Sequence, residues 1–178
     1  LFRGIAYYQI PTSLLGMVDA SIGGKTAINT KQGKNLIGTF YHPNAVLIDP
    51  KLLISLPKKE FLAGLCEIIK YGFIDSKKII KIFKNFNFID LGSNNNLIND
   101  LIIYSVESKS NIISKDSEEK GLRKILNFGH TVGHIIESFT SYKKYTHGEA
   151  IAHGMIISLK ISNKLFKLSK NLLEESIY

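Results

Sequence analysis

The 178-residue sequence predicts an α/β segment over residues 1–56 followed by a mostly all-α region over residues 57–178. Three observations carry this reading. Residues 1–56 are rich in Gly, Thr and Asn, and their short apolar runs, "IAYYQI" and "AVLIDP", have the length of strands. From "LPKKEFLAGLCEIIKYGFI" onward, apolar residues such as Leu62, Leu65, Ile68 and Ile69 recur at helical spacing. Polar connections, "LGSNNN" and "KDSEEKG", punctuate that periodic stretch as loops do. The change of texture near residue 56 is the expected domain boundary.

In chain order, the two strand-like runs flank a helical stretch, "SLLGMVDASIG". Pro57 suits the first turn of the next helix, because a missing N–H costs nothing there. Further helices are expected over 78–86, about 97–114, about 129–140 and about 148–168. No internal repeat interrupts the order.

Composition narrows the function classes. Hydrophobic content of 44% and charged content of 21% belong to a soluble globular protein with a core. The net charge of +8 comes from lysines dispersed among Ile, Leu and Phe, as on helices with one wet face. It forms no basic stripe with aromatic interleaving, so no nucleic-acid partner is expected, while a small anionic substrate is compatible. No run approaches the roughly 20 apolar residues of a membrane span. The single Cys66 excludes an internal disulfide, fits a cytoplasmic, reducing location, and reads as a buried inert thiol. Leu1 opens the sequence without an initiator Met or signal-peptide pattern, so it reads as part of a longer protein.

Three stretches carry chemistry. In "LNFGHTVGHIIE", His130 and His134 are four residues apart and share a helix face, which suits either a shared metal or two polar groups on a packed helix. His147 in "YTHGEA" and Glu67 in the apolar "GLCEIIKYG" widen the choice. A buried carboxylate needs a partner, and two His with one Glu is a common zinc set. The residues alone leave open which two histidines complete it. "VDASIGGKTAINTKQGKNLIG" offers Gly23 and Gly24 for unusual backbone shapes, with Lys25, Lys34, Asn29 and Asn35 as anion-binding groups. It lacks GxGxxG and P-loop spacing, and an ordinary Gly-rich turn explains it as well. In "ESKSNIISKDSEEKGLRKILNFGH", Arg123 can fork a carboxylate, or it and Lys109 can be surface cations near helix ends. Glu107, Asp116, Glu118 and Glu119 read as solvated surface charge, and His153 as packing or surface.

Together these stretches resemble the 3-dehydroquinate synthase family. The matching phrases are "RGIAYYQIPTSLLGMVDASIGGKTAIN", "GKNLIGTFYHP", "LPKKEFLAGLCEIIKYG", "GLRKILNFGHTVGHIIE" and "HGEAIAHGM", in the family's order over residues 3 to about 155. The resemblance implies that residues 1–56 are the tail of an N-terminal Rossmann-like NAD domain. Residues 57–178 are then a helical zinc- and substrate-binding domain, incomplete at its C-terminus. It implies Glu67, His130 and His147 as zinc ligands, with Co2+ a possible substitute. It gives His134 a role in proton transfer or phosphate contact, beside Lys70, Asp19 and Asn127. Arg3, Lys25, Asn35, Lys109 and Arg123 match substrate positions. Thr12, Ser13, Lys25, Lys34, Leu52, Leu53, Ile54 and Ser55 match positions contacting NAD, Ser55 standing where the family commonly has Thr. Arg3 matches an arginine that reaches the partner subunit's phosphate site in a homodimer.

The implied activity converts 3-deoxy-D-arabino-heptulosonate 7-phosphate into 3-dehydroquinate and phosphate. Transient oxidation by NAD, phosphate elimination and intramolecular aldol closure make up the reaction. The alternatives are a related sugar-phosphate cyclase, such as 2-deoxy-scyllo-inosose or valiolone-type synthase, and a non-catalytic zinc-binding module. Lys109 and Arg123 favour the carboxylate-bearing substrate, and this polypeptide alone is expected to be inactive.

Overall fold

The structure is a computed structural model that describes residues 4–31, 33–85, 95–167 and 174, with the side chains of Gly33, Lys34 and Asn95 outside that description. Its core begins where the N-terminal segment meets the helices. Leu14, Met17 and Val18 lie on or beside a π-helical turn, Gly16–Ala20, and are fully buried against helices α1 (Lys58–Ile74) and α3 (Asn95–Lys115). Three apolar side chains on successive turns can be buried only if something packs over them, and the faces of these two helices do so.

The strand expectations shrink. Of "IAYYQI", only β1 (Tyr8–Gln9) pairs, in parallel, with β4 (Ala45–Val46), through Tyr8 to Ala45 and Gln9 to Val46. The anion-loop stretch is instead an antiparallel hairpin, β2 (Lys25–Thr30) and β3 (Gly33–Phe40), registered Lys25 to Phe40 and Ile28 to Ile37. Gly23 and Gly24 take φ of +107° and +67° at its entrance, a region only glycine enters readily. The Asp49 side chain caps a short 3-10 turn, Pro50–Ser55, by accepting from the Lys51 N–H at 3.0 Å, and α1 follows.

The helical region follows expectation closely. α1 buries Leu65, Ile68 and Tyr71 at one-turn spacing, and α3 buries Leu101, Ser105, Ser108 and Ile112. α2 (Lys77–Lys84) turns Ile79 inward, and four lysines punctuate the same helix. Helix α3 begins at Asn95, inside the expected "LGSNNN" loop, whose residues 91–94 lie outside the described residues. Leu122–Asn127 forms a 3-10 turn leading into α4 (His130–Phe139), and α5 (His147–Phe166) packs on both α4 and α1.

Gly148 sets the approach of α5 to α1. A Cβ there would lie 2.1 Å from the Ala63 carbonyl oxygen, far inside contact distance, so the two backbones touch only because the residue is glycine. Thr146 and Glu149 fix where α5 begins. The Thr146 hydroxyl accepts from the Glu149 N–H at 3.3 Å, and the Glu149 carboxylate accepts from the Thr146 N–H at 2.7 Å. This capping box makes His147 the first residue of the helix, where a helix start after it had been expected.

Candidate metal and substrate site

His147 stands at the start of α5, His130 at the start of α4, and Glu67 in the middle of α1, so three helices deliver the three groups to one point. One donor atom from each lies within 4.8 Å of the others. His147 Nε2 is 3.4 Å and His130 Nε2 3.7 Å from Glu67 Oε1. His134, one turn beyond His130, is exposed, and its ring completes a triangle with centroids 5.5 Å from His130 and 6.1 Å from His147. His134, Glu137 and His147 also bring donor atoms within 4.8 Å of one another, so spacing alone does not separate the two sets.

Glu67 is fully buried, and neither carboxylate oxygen has a hydrogen bond of good geometry, although Lys70 ion-pairs with it. A carboxylate in that state wants positive charge. Two imidazoles and one carboxylate with reachable lone pairs are the donor set of a divalent ion of the zinc type, and the residues present fit one. Burial keeps His130 below its ordinary pKa despite the pull of Glu67, which favours the neutral, ligating form. Burial opposes charge on His147 as well, but hydrogen bonding and charge from Glu67, with a further pull from Glu137, raise it in the ion-free state.

Behind Glu67 runs a chain of charge, buried at Lys70 and Lys109 and 21% exposed at Asp19. Lys70, almost fully buried, bridges Glu67 and Asp19, the latter at 3.7 Å. Lys109 donates to the Asp19 carboxylate at 2.7 Å and to its backbone carbonyl at 2.6 Å, and the Tyr71 hydroxyl donates to the same carboxylate. Burial works against ionising Asp19, but the charges of Lys70 and Lys109 and these hydrogen bonds outweigh it and hold the carboxyl well below the usual range. Burial also disfavours ionised Glu67, and Asp19 adds to that, but Lys70 and the two histidines bring it below its ordinary value. Burial lowers Lys109 and Asp19 only partly restores it, whereas for Lys70 the two carboxylates win and raise it.

Arg123 is 1% exposed and donates to the carbonyls of Ser117 and Gly23, both at 2.6 Å, while its Nε has no hydrogen-bond partner among the described residues. Its guanidinium lies 5.4 Å from the Phe40 ring centroid, which ties the end of the hairpin to the helical body. Lys25 ion-pairs with Glu119, and Asn127 donates to Glu119 at 2.8 Å along a cleft of about 970 Å3 that Phe40, Phe73 and Phe128 also line. Asn35 is exposed on β3 at φ +58°, its N–H bound to the Asn29 side chain at 3.3 Å. Thr12 is exposed, the Ser13 hydroxyl accepts from the Gly16 N–H at 3.1 Å, and Leu52, Leu53, Ile54 and Ser55 form the 3-10 turn. Leu53 packs on the core, and Ile54 is 96% exposed. Arg3 and the Lys34 side chain lie outside the described residues.

Two expectations need correction. Asp116 and Glu119 are not mere surface charge. Asp116 accepts backbone N–H groups from Lys120, Gly121 and Arg123, and Glu119 joins Lys25 to Asn127. Cys66 is half-buried rather than buried, and burial, with Glu67 and Glu149 nearby, pushes its thiol up to about 11, which disfavours the nucleophilic thiolate. Tyr71 and Glu137 were not anticipated. The signal was present, since Tyr71 follows Glu67 by four residues and Glu137 follows His134 by three, each on the functional face. Among the described residues, no helix is long and apolar enough to cross a membrane.

Family models described as 3-dehydroquinate synthase N-terminal and C-terminal match residues 1–63 and 64–177. Relatives named 3-dehydroquinate synthase are 52% identical over 165 residues in Rippkaea orientalis and 48% over 163 in Dictyoglomus thermophilum, each covering 92% of the chain. The chain spans about half the length of these relatives, 45% and 46%. A structure of 2-deoxy-scyllo-inosose synthase with carbaglucose-6-phosphate, NAD+ and Co2+ is similar at TM-score 0.86 and 33% identity, over 99% of this chain and 48% of that one. A 2-epi-5-epi-valiolone synthase from Streptomyces hygroscopicus, with NAD+ and Zn2+ bound, is similar at TM-score 0.88 and 26% identity, over 98% and 49%. Ordered motifs, a converging donor set and matches along the whole chain lead to one conclusion: this chain belongs to the 3-dehydroquinate synthase family.

Proposed function

We propose that the whole protein carrying this chain is a 3-dehydroquinate synthase acting on 3-deoxy-D-arabino-heptulosonate 7-phosphate. The observation that carries the reading is the meeting of Glu67, His130 and His147 at one buried point beside the Asp19–Lys70–Lys109 chain. The 52% identity to a synthase of that name, against 33% to a 2-deoxy-scyllo-inosose synthase, supports the carboxylate-bearing substrate over the carboxylate-free one. Residues 1–56 are the tail of a Rossmann-like NAD domain and 57–178 a helical metal- and substrate-binding domain, the protein working as a cytoplasmic homodimer.

Glu67, His130 and His147 hold Zn2+, or Co2+ in its place. When bound, NAD supplies reversible hydride transfer and the ion Lewis acidity. The chain's own residues position and move protons. His134, at the exposed corner of the triangle, takes a proton at a ring nitrogen or contacts the substrate phosphate. Lys70 and Asp19 hold a fixed pair of charges beside the donor set, so no group must reorganise as charge shifts. Lys25, Asn35, Asn127, Lys109, Arg123 and Arg3 orient the anionic substrate, Arg3 from the partner subunit. Thr12, Ser13, Lys25, Lys34 and 52–55 contact NAD.

Two measurements on the full polypeptide test this. The carboxylate-bearing substrate yields 3-dehydroquinate and a carboxylate-free hexose phosphate yields no cyclic product; the reverse preference overturns the choice. Metal analysis finds about one Zn2+ per chain in His134→Ala and almost none in Glu67→Ala, His130→Ala or His147→Ala. Equal loss in all four overturns the ligand assignment.

A further inference from the structure

We propose that Glu137 is a positioning residue for the metal set: its carboxylate accepts a hydrogen bond from the Nδ1–H of His147 and so keeps the Nε2 lone pair facing the ion. The inference rests on reading Glu67, His130 and His147 as the ligands.

The His147 ring lies between two carboxylates. Its Nε2 is 3.4 Å from Glu67 Oε1, and its Nδ1 is 3.4 Å from Glu137 Oε1. Glu137 is 5% exposed, a carboxylate carried into the interior by the same helix as His130 and His134. Burying it is costly unless it accepts hydrogen bonds. A neutral imidazole has one N–H and one lone pair, and only the lone pair can bind a metal. With the proton on Nδ1, that N–H donates to Glu137 and the Nε2 lone pair faces Glu67. His130 is arranged the same way. Its Nδ1 lies 3.2 Å from the Phe128 carbonyl, which can only accept, and its Nε2 faces Glu67. Each imidazole thus has an acceptor behind it and the same carboxylate in front. The opposite tautomer of His147 would place its lone pair on Nδ1, toward Glu137, and an N–H toward Glu67, so the ring could not share an ion with that carboxylate and His130. A carboxylate behind a ligating histidine fixes ring orientation and raises ligand basicity, and losing it costs about 10- to 100-fold in metal affinity.

The test is Zn2+ affinity of the full polypeptide, measured by competition with a chromophoric chelator, in Glu137→Met and Glu137→Gln. Met keeps the length with only a weakly accepting thioether, and Gln keeps an acceptor oxygen without the charge. The Kd rises about 10- to 100-fold in Glu137→Met and no more than about threefold in Glu137→Gln. An unchanged Kd in Glu137→Met, or an equal loss in both, overturns the proposal. Should Glu137→Met not fold, 15N NMR of the Zn2+-loaded wild type decides: Nδ1 of His147 is protonated and Nε2 bound, and metal on Nδ1 overturns it. Failure of the ligand reading looks different, since Glu67→Ala and His130→Ala would then hold Zn2+ at the wild-type Kd.

Discussion

Glu67, His130 and His147 sit on three helices, α5 packing on both α1 and α4, whereas Lys25 and Asn35 sit on a two-stranded hairpin exposed along most of its length. In the first region every donor is set by an element boundary or a buried partner. Thr146 and Glu149 start α5 at His147, the Phe128 carbonyl orients His130, and Lys70 lies against Glu67. In the second, Ile28 and Ile37 face each other yet are 62% and 61% exposed, and Lys25 is tied by its pair with Glu119. Side chains in the first region are preorganised by burial, while those in the second keep much of their freedom.

Removing Asp19 breaks this contrast most directly. Asp19→Ala leaves Lys109 buried without its carboxylate and Lys70 with only one, costing about 3–5 kcal/mol of unfolding free energy by urea titration. A loss below about 1 kcal/mol would mean the chain of charge is not buried as described. Gly148→Ala comes next. The added methyl meets the Ala63 carbonyl, so α5 must move, costing about 1–3 kcal/mol and weakening Zn2+ retention together. Destabilisation without metal weakening would separate the helix contact from the site.

Acid acts on the same network more gently. Because the folded-state pKa of Asp19 is depressed, its contribution is present above the unfolded value of about 3.9 and is lost as pH falls through the folded one. Wild-type stability therefore falls below about pH 4, by at most about 1.4 kcal/mol per pH unit for this group, and Asp19→Asn removes that part of the slope. Parallel urea midpoints in the two proteins from pH 5 to pH 2 would refute the assignment. The smallest effect belongs to the hairpin. Lys25→Ala changes stability by less than about 1 kcal/mol, since its ammonium is half-exposed, while KM for the phosphorylated substrate rises. An unchanged KM would take Lys25 out of the substrate set.

What the sequence showed of this contrast follows the range of the forces involved. The helices were readable because burial repeats every turn, and Glu67 stood out because a carboxylate in an apolar helix needs a partner. The hairpin was missed because Gly, Asn and Lys in "NTKQGKN" resemble a ligand loop as much as a strand turn, and its strands bury too little to alternate. The capping box Thr146-x-x-Glu149 is legible in "THGE", and it moves the start of α5 one residue earlier than periodicity alone suggests. Tyr71 and Glu137 escaped for another reason. Helical spacing put both on the functional face, but their partners, Asp19 and His147, lie 52 and 10 residues away, and those pairings no local pattern encodes.

The contact between Gly148 and Ala63 has a consequence for how this chain tolerates change. Where side chains separate two helices, every substitution at the seam resets the gap. Here the spacing is set by a carbonyl oxygen against a Cα, dimensions shared by all polypeptides. Residues on the outer faces of α1 and α5 can therefore drift in size and polarity without carrying His147 away from Glu67. The seam acts as a gauge block for the site, and a redesign of the surrounding surface can proceed freely provided that one glycine is kept.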